Sequence, residues 1–229
     1  HGETRNFNNA YAEDHYLDLL VRARTGWDAL GSVDGEPLLR LHGLVTHGLV
    51  DVEGIARALG DRGIPASLLS RTEAATRWSG MRFSSDVLFS PDAGVARASA
   101  ALGELERRIV AGCGEVRWET PISAIEDTDQ GVVLTLPTGT IRADAAVVTV
   151  GAWTSRLLPS IALPRLTVTE ETPAHFRPTG ADAWRSLNHC TDPDQCQATV
   201  CGMPTPGEWV KGGSHLWGEE LDPGARPLD

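Results

Sequence analysis

Hydrophobic positions recur along the first half of the chain at helical spacing. They predict helices that begin at Asp14, Asp51 and Ser70, three residue types that suit the capping position. Glu73 stands three residues after Ser70, which is the spacing of a capping box. A longer helix is predicted over 98–110, after a short strand and turn within 86–97 and an earlier strand over 38–48 that a glycine interrupts.

After residue 114 the pattern changes to short alternating or apolar runs that turn residues separate. The runs 115–127, 131–139 and 140–151 predict a β-meander, and further strands are predicted within 166–178 and 208–218. In the last run of the meander, Ala145 to Val150 is apolar without alternation, which predicts a buried central strand; a helix start follows at Thr154 or Ser155. Helices combined with mainly antiparallel strands indicate an α+β fold around a fragment of an α/β sheet.

Composition limits the classes of function. The chain has 229 residues, 41% of them hydrophobic, and a formal net charge of −11, which argues against binding to nucleic acids and to anionic membranes. No apolar run is long enough for a membrane helix, and no signal peptide stands at the start, so a cytoplasmic location is expected. The missing initiator Met suggests that the chain begins inside a larger gene product or after processing.

Lysine is almost absent from the chain. Lys211 is the single lysine among the 20 basic residues, and the rest are arginines, a skew typical of a GC-rich coding sequence. Where arginine serves as the general surface cation, a position that keeps an ammonium group can need a compact charge with a shiftable pKa. The alternative is that one lysine survives by chance.

No glycine-rich turn of the nucleotide-binding type is present in the sequence. The G-x-G at Gly112 and Gly114 follows a predicted helix, precedes a strand and has Arg117 where a third glycine belongs, so it is interpreted as a helix end and turn.

Four segments in order carry a resemblance to a known family: "HGETR" at the start, "FSPDAGVARASAALGEL", "ADAAVVTVGAWTSRLLP" and "WVKGGSH". Together they resemble the FAD-dependent amine oxidases related to monomeric sarcosine oxidase, the DAO family, from residue 1 to about residue 222. The resemblance implies an N- and C-terminally incomplete chain that holds a substrate-binding domain, with a mainly antiparallel sheet and helices, attached to part of an FAD-binding α/β sheet. Residues 1–150 would hold the middle of the FAD domain, about 1–35 and 90–160, around a substrate-domain insertion at about 36–89; residues 151–229 would be substrate domain.

The resemblance also implies site residues and FAD as the cofactor. Lys211, His215 and Arg5 would be catalytic: Lys211 would activate O₂, His215 would be the family's active-site histidine, and Arg5 would favour negative charge on the reduced flavin. The cofactor contacts would be His1, Gly2, Thr4 and Arg5 against the flavin ring, Ile122 on the adenine side, and Gly151, Ala152 and Trp153 at a second corner. Because residues i and i+4 of a strand point the same way, Lys211 and His215 are expected to face one pocket.

The implied reaction is oxidation of a secondary amine or N-methyl amino-acid-like substrate to an imine, with reduction of O₂ to H₂O₂. Two substrate-binding positions depart from the family pattern: Asn8 stands where sarcosine-oxidising members carry an arginine, and Cys201 stands where they carry a tyrosine. A neutral amide cannot form the charged bidentate pair with a carboxylate, so a bulkier or uncharged amine is an alternative to sarcosine.

A second hypothesis is a non-enzymatic module that kept the substrate-domain fold, lost FAD and binds a small ligand or a partner protein. The missing glycine turn favours it if these residues are the whole native protein. On the residues alone, Arg5 and His1 could belong to a frayed terminus, and Lys211 and His215 could face solvent.

The remaining chemistry-bearing residues receive no role. A zinc site could be assembled from His189, Cys190, Cys196, Cys201 and His215, but their spacing lacks the usual knuckle, and no metal is predicted. A disulfide within this loop is not expected in a reducing cytoplasm, and Cys113 is expected to be buried. His42, His47 and His175 are scattered along the chain. Residues 219–229 are expected to form a solvated acidic tail.

Overall fold

The computed structural model describes residues 2–177, 186–190, 199–205, 207, 209–215 and 218–223 and, within them, all side chains except those of 186–190, 199 and 215. Two compact units divide the chain. Unit 1 comprises His1–Gly112 and Glu171–Trp217, and unit 2 comprises Cys113–Glu170 and Gly218–Asp229. No described helix is both long enough and apolar enough to cross a membrane.

Unit 1 contains most of the regular structure. Its elements are β1 (Thr4–Phe7), α1 (Asp14–Leu30), β2 (Ser32–Val33), β3 (Glu36–Pro37), β4 (Leu39–Leu41), β5 (Leu44–Thr46), α2 (Val52–Gly60), β6 (Ser67–Leu69), α3 (Arg71–Arg77), β7 (Val87–Ser90), β8 (Gly94–Arg97) and α4 (Ala98–Ala111), and, after unit 2 interrupts the chain, β13 (Ala174–Phe176), β14 (Ser186–Cys190), β15 (Thr199–Thr205) and β16 (Trp209–His215).

The remaining elements belong to unit 2. They are β9 (Ala124–Thr128), β10 (Gly131–Leu136), β11 (Gly139–Ala143), a 3₁₀ turn at Gly151–Trp153, α5 (Thr154–Leu157), β12 (Thr169–Glu170) and β17 (Glu219–Glu220).

A seven-stranded sheet forms the centre of unit 1, in the order β13-β16-β15-β14-β5-β7-β6. Its neighbours are antiparallel except β14 and β5, which are parallel. A second, antiparallel sheet has the order β1-β8-β4, and β2 pairs with β3. This mixture of helices and mainly antiparallel strands is the expected α+β fold.

The core of unit 1 lies on both faces of the large sheet. Leu44 and Leu88 face a cluster with residues of α1 and α2, while Val45 and Phe89 face a second cluster with α3 and Trp78. Successive strand residues point to opposite faces, so the unbroken apolar runs of β5 and β7 supply both clusters. This double burial makes the sheet a rigid support for its other strands.

Two of the three predicted helix starts are confirmed. The Asp51 carboxylate accepts a hydrogen bond from the backbone N–H of Gly54, and Ser70 and Glu73 form the expected capping box. The prediction for Asp14 is wrong: Glu13 occupies the capping position, without a side-chain hydrogen bond, and Asp14 is the first helical residue. An acidic first-turn residue favours the positive helix end without being its cap.

Helix α4 is tied to the end of α1. Arg108 donates from Nη2 to the carbonyl oxygen of Leu30 at 2.7 Å, which satisfies an acceptor that the helix itself leaves open. Hydrogen bonds from Arg107 and Arg108 lower the pKa of Glu104 to about 2. Charged side chains thus stabilise α4 and its junction with α1, and the hydrophobic pattern of the sequence does not predict these contacts.

His47 is buried at the end of β5. Its ring nitrogens have no hydrogen-bond partner among the described residues, and its ring packs edge-on against Phe83. Burial lowers the pKa of His47 because the charged imidazolium would lose its hydration. The side chain therefore serves as a neutral packing group.

The predicted meander is present in unit 2, with the order β11-β10-β9, but the buried strand expected over 145–150 is wrong. The last strand ends at Ala143, and Val147 is 91% exposed. A central strand needs neighbours that accept its hydrogen bonds, and none of the described strands pairs with this run.

Two smaller expectations also fail. Cys113 is exposed, because it lies in the turn that follows Gly112 at the end of α4, with φ of 63°. Glu219 and Glu220 are exposed but are not part of a free tail, since they pair with β12. The helix end at Gly112 itself is confirmed.

Candidate functional site

The register of β13, β16 and β15 places one set of side chains on a common sheet face. His175 on β13 and Met203 on β15 both lie directly opposite Lys211 on β16. Two residues along, Cys201 lies opposite Gly213. Since directly paired residues, and residues two apart, share a face, Lys211 is flanked by His175 and Met203 with Cys201 beyond them.

The start of β1 lies close to this face. A Cβ atom on Gly2 would stand 3.4 Å from Nζ of Lys211 and 4.0 Å from Nη1 of Arg5. Gly2 has φ of 81°, in the left-handed region that side chains rarely adopt. The backbone at Gly2 therefore passes beside both cations, where a larger residue would be strained.

A pair of buried hydroxyl groups connects β1 and β15. Oγ1 of Thr4 and Oγ1 of Thr205 are 2.8 Å apart and both residues are buried. Arg5 donates from Nη1 to the carbonyl oxygen of Thr4 at 3.0 Å, which orients the guanidinium at the same place. The contact between the two hydroxyls joins residues 201 positions apart and links β1 to β15.

Together these elements enclose a cavity of about 810 Å³, here called the Lys211 cavity. Its lining residues are Gly2, Thr4, Arg5, Asn6, Glu171, Pro173, His175, Cys201, Met203, Lys211, Gly212, Gly213 and Ser214. Oδ1 of Asn6 has almost no accessible surface and has no hydrogen-bond partner among the described residues. The cavity thus combines two cations and a carboxylate.

Several predicted residues converge on this cavity and others do not. Gly2, Thr4, Arg5, Cys201 and Lys211 line it, although the Thr4 hydroxyl is already bonded to Thr205.

Asn8 does not line the Lys211 cavity. Its side-chain oxygen accepts a hydrogen bond from the backbone N–H of Ala10 at 2.8 Å, so it stabilises the turn before α1. Its predicted substrate contact has no support in this geometry and stays a prediction.

The histidine predictions lie partly beyond the described residues. His1 is outside them. For residue 215 only the backbone is described. It lies four positions after Lys211 on β16, whose register is continuous, so the two positions have the same strand parity. The alternative metal site also falls here, since Cys196 and the side chains of 189, 190 and 215 lie outside the described set. No group of three potential metal-ligating side chains converges among the described ones.

A second cavity, also of about 810 Å³, lies within unit 2. Its lining residues are Thr120, Pro121, Ile122, Ser123, Thr149, Val150, Gly151, Trp153, Arg156 and Leu157. Three of the predicted cofactor contacts, Ile122, Gly151 and Trp153, therefore come together; Ala152 lies in the same 3₁₀ turn without lining the cavity.

The turn at Gly151 has a defined geometry. Gly151 has φ of 53°, and Oγ1 of Thr154 donates to its carbonyl oxygen at 2.7 Å. No other atom lies within 4 Å of the position that a Cβ would take. The space beside this backbone is open, which suits the close approach of a ligand.

Most of the other lining residues of the Lys211 cavity were not identified from the sequence, among them His175, Glu171 and Met203. The short strand β13 is too brief for a periodic signal, and strand pairing between β13, β15 and β16 decides which residues meet. The alternation of β15 and β16 is the one usable signal, because it puts Cys201 and Met203 on one face.

The residue types of each cavity, taken by itself, fit one part of a flavin dinucleotide. A flavin ring presents hydrogen-bonding edges that become more negative on reduction, and Arg5 and Lys211 offer positive charge beside a backbone without a side chain at Gly2. An aromatic and aliphatic cavity with Ile122 and Trp153 suits a planar base. The phosphate-binding glycine turn is not part of this sequence.

Comparisons with known proteins agree with this assessment. An N-methyl-L-tryptophan oxidase of Yersinia pestis is 31% identical over 168 residues, which cover 70% of this chain and 45% of that protein. The matched part of the chain thus spans less than half the length of the curated relative.

Two solved structures share the fold at low identity. NikD, described as an unusual amino acid oxidase essential for nikkomycin biosynthesis, superposes with a TM-score of 0.79 at 20% identity, over 99% of this chain and 62% of that chain. Glycine oxidase from Geobacillus kaustophilus gives 0.71 at 16% identity, over 93% and 60%. The family model for FAD-dependent oxidoreductases, DAO, matches residues 3–228, and the chain belongs to that family.

Proposed function

We propose that this chain is part of a flavoenzyme that oxidises a secondary amine or N-methyl amino acid to an imine and passes the electrons to O₂, forming H₂O₂. The observation that carries the proposal is the convergence of Arg5, Gly2 and Lys211 on one cavity. Family membership and the N-methyl-L-tryptophan oxidase relative support the same class of substrate.

Each unit, taken by itself, contains residues proposed to contact FAD. They are Gly2, Arg5 and Lys211 in unit 1, with His1 proposed beside them, and Ile122, Gly151, Ala152 and Trp153 in unit 2. When bound, FAD supplies the acceptor for a hydride equivalent from the amine and the electrons for O₂. The domain roles expected from the resemblance are part of this proposal: about 1–35 and 90–160 for the FAD domain, and about 36–89 and 151–229 for the substrate domain.

The cations of the Lys211 cavity would act by charge. The Lys211 ammonium, a compact cation on a paired strand, would stabilise negative charge developing on O₂. Arg5, held by its bond to the Thr4 carbonyl, would stabilise negative charge on the reduced cofactor. His215 is proposed to face the same cavity.

The substrate proposed here need not carry a carboxylate at the place where sarcosine-oxidising members bind one. Asn8 holds the backbone of Ala10, and Cys201 lines the cavity in place of a bulkier phenol. The smaller side chain leaves room for a larger amine substituent. An N-methyl amino acid with a bulky side chain is therefore the first substrate to test.

The first experiment is a visible absorption scan of the purified chain before and after FAD is added and the protein is desalted. Retained flavin bands, bleached anaerobically by amines such as N-methyl-L-tryptophan, are the expected result. A colourless protein would contradict the proposal for this chain and would favour the alternative of a binding module without FAD.

A variant tests the role of Lys211. Lys211→Met is expected to leave anaerobic bleaching within a few-fold of wild type but to slow reoxidation by O₂ by about 10²- to 10³-fold, because the charge that stabilises reduced oxygen is lost. Arg22→Met, which removes an exposed cation of α1, is the matched control. Equal reoxidation rates in Lys211→Met and wild type would exclude this role for Lys211.

A further inference from the structure

His175 is the direct cross-strand neighbour of Lys211. The antiparallel register of β13 and β16 pairs the two residues, and directly opposed side chains have Cβ atoms about 4.5–5.5 Å apart. Both line the Lys211 cavity. An imidazole and the proposed oxygen-activating ammonium therefore share one wall of the site.

An amine substrate brings a proton that must be removed. Alkyl amines have pKa values near 10, so they arrive as ammonium ions at neutral pH. An ammonium nitrogen has no lone pair to assist loss of a hydride from the adjacent carbon. A proton acceptor is most efficient when it titrates near the working pH, and histidine is the side chain that ordinarily does so.

The other ionisable groups that face the cavity from neighbouring elements are less suited to this task. Arg5 on β1 and Lys211 on β16 are cations that already hold their protons. Glu171, before β13, is a carboxylate, and carboxylates as a class are weak bases at neutral pH. Cys201 on β15 is a thiol, and thiols as a class are largely protonated there.

We propose that His175 is the proton acceptor for the incoming ammonium substrate, an inference that rests on the proposed amine-oxidising function. The proton leaves the substrate nitrogen, whose N–H bond pair stays behind as the lone pair. A ring nitrogen of the neutral imidazole forms the new N–H bond. No electron is transferred in this step, and the positive charge moves from the substrate to His175.

The test is the pH dependence of anaerobic bleaching of the FAD-loaded protein by N-methyl-L-tryptophan. His175→Asn and His175→Phe are expected to slow bleaching about 10²-fold at pH 7, with the deficit closing to within a few-fold at pH 10, where the free amine no longer needs an acceptor. His15→Asn, on the exposed face of α1, is the control and should match wild type throughout. A deficit that is equal at both pH values, or no deficit, would overturn the proposal.

A second measurement does not depend on bleaching. At pH 8, the His175 ring signals in a ¹H–¹³C spectrum, assigned with His175→Asn, should move toward the protonated form when N-methyl-L-tryptophan is added. The quaternary N,N,N-trimethyl analogue, which carries no transferable proton, should not cause this shift. If wild-type protein is not bleached, the proposed function fails, and these spectra still decide the inference: no shift, or equal shifts with both compounds, overturns it.

Discussion

The strand β16 and the segment 144–150 show opposite outcomes for short runs of similar length. β16, with the sequence "WVKGGSH", contains two glycines and a lysine, which are poor strand formers, yet it is paired along its length with β15 and over three residues with β13. The segment "DAAVVTV" contains three valines and a threonine but forms no strand. Available pairing partners, more than local propensity, therefore decide which run becomes a strand.

The two units also differ in how many side chains they bury. Unit 1 buries apolar side chains on both faces of its large sheet, whereas Leu136 is the one buried side chain among the described residues of unit 2. The Lys211 cavity thus lies in the unit with the larger core, and the cavity that Ile122 and Gly151 line is built on a meander and a short turn. Substitutions at three places test this contrast.

The largest effect is expected where two strands of unit 1 touch. A Cβ on Gly94 would overlap the carbonyl oxygen of Arg40 on the neighbouring β4. Gly94→Ala is therefore expected to lower the free energy of unfolding by about 3 kcal/mol, because backbone cannot move aside as a flexible side chain can. Urea unfolding of the variant measures this loss.

Gly103→Ala is the control for that substitution. Gly103 lies in α4 with nothing within 4 Å of its Cβ position, so alanine should raise stability by up to about 1 kcal/mol through helix propensity. Equal stability of Gly94→Ala and wild type would mean that β8 and β4 do not pair as described.

An intermediate effect is expected at the hydroxyl pair beside the Lys211 cavity. Thr205→Val should lower the free energy of unfolding by about 1–2 kcal/mol, because it leaves the buried Thr4 hydroxyl without a partner. The double variant Thr4→Val/Thr205→Val should lose less than the sum of the two single variants. Strict additivity in this double-mutant cycle would show that the two hydroxyls do not interact.

The smallest effect is expected in the unpaired apolar segment of unit 2. Val147→Thr should change the free energy of unfolding by less than about 0.5 kcal/mol, since the side chain is 91% exposed. The same change at Val95, which is 1% exposed on β8, should cost about 2 kcal/mol because a hydroxyl is buried there. A loss of more than about 1 kcal/mol at Val147 would indicate that the segment is buried after all.

These contrasts explain how far the sequence could predict the molecule. Caps at Asp51 and Ser70 were predictable because they depend on residues three apart, and the meander was predictable from its turns and alternation. The strand that ends at Ala143 was predicted to continue through 145–150, because β propensity does not show whether a neighbouring strand is available for pairing. The sequence pattern could not predict that His175 lines the Lys211 cavity, because its position depends on pairing between strands far apart in sequence.

The resemblance grouped more of the cavity residues than local sequence patterns did. Arg5, Gly2 and Lys211 were grouped in advance, and the structure brings them to one cavity. Glu171 and His175 were not grouped with them, because no local sequence rule marks them. Their placement required the register of β13 against β16.

The hydroxyl contact between Thr4 and Thr205 also bears on how the protein is made. The two residues are 201 positions apart, so the contact cannot form until β15 has left the ribosome. At typical synthesis rates, on the order of ten seconds or more pass between the synthesis of β1 and the synthesis of β15. During that interval the strands that complete the cavity beside Arg5 and Gly2 are not yet made, and a chaperone that shields β1 would protect the later assembly of the cavity.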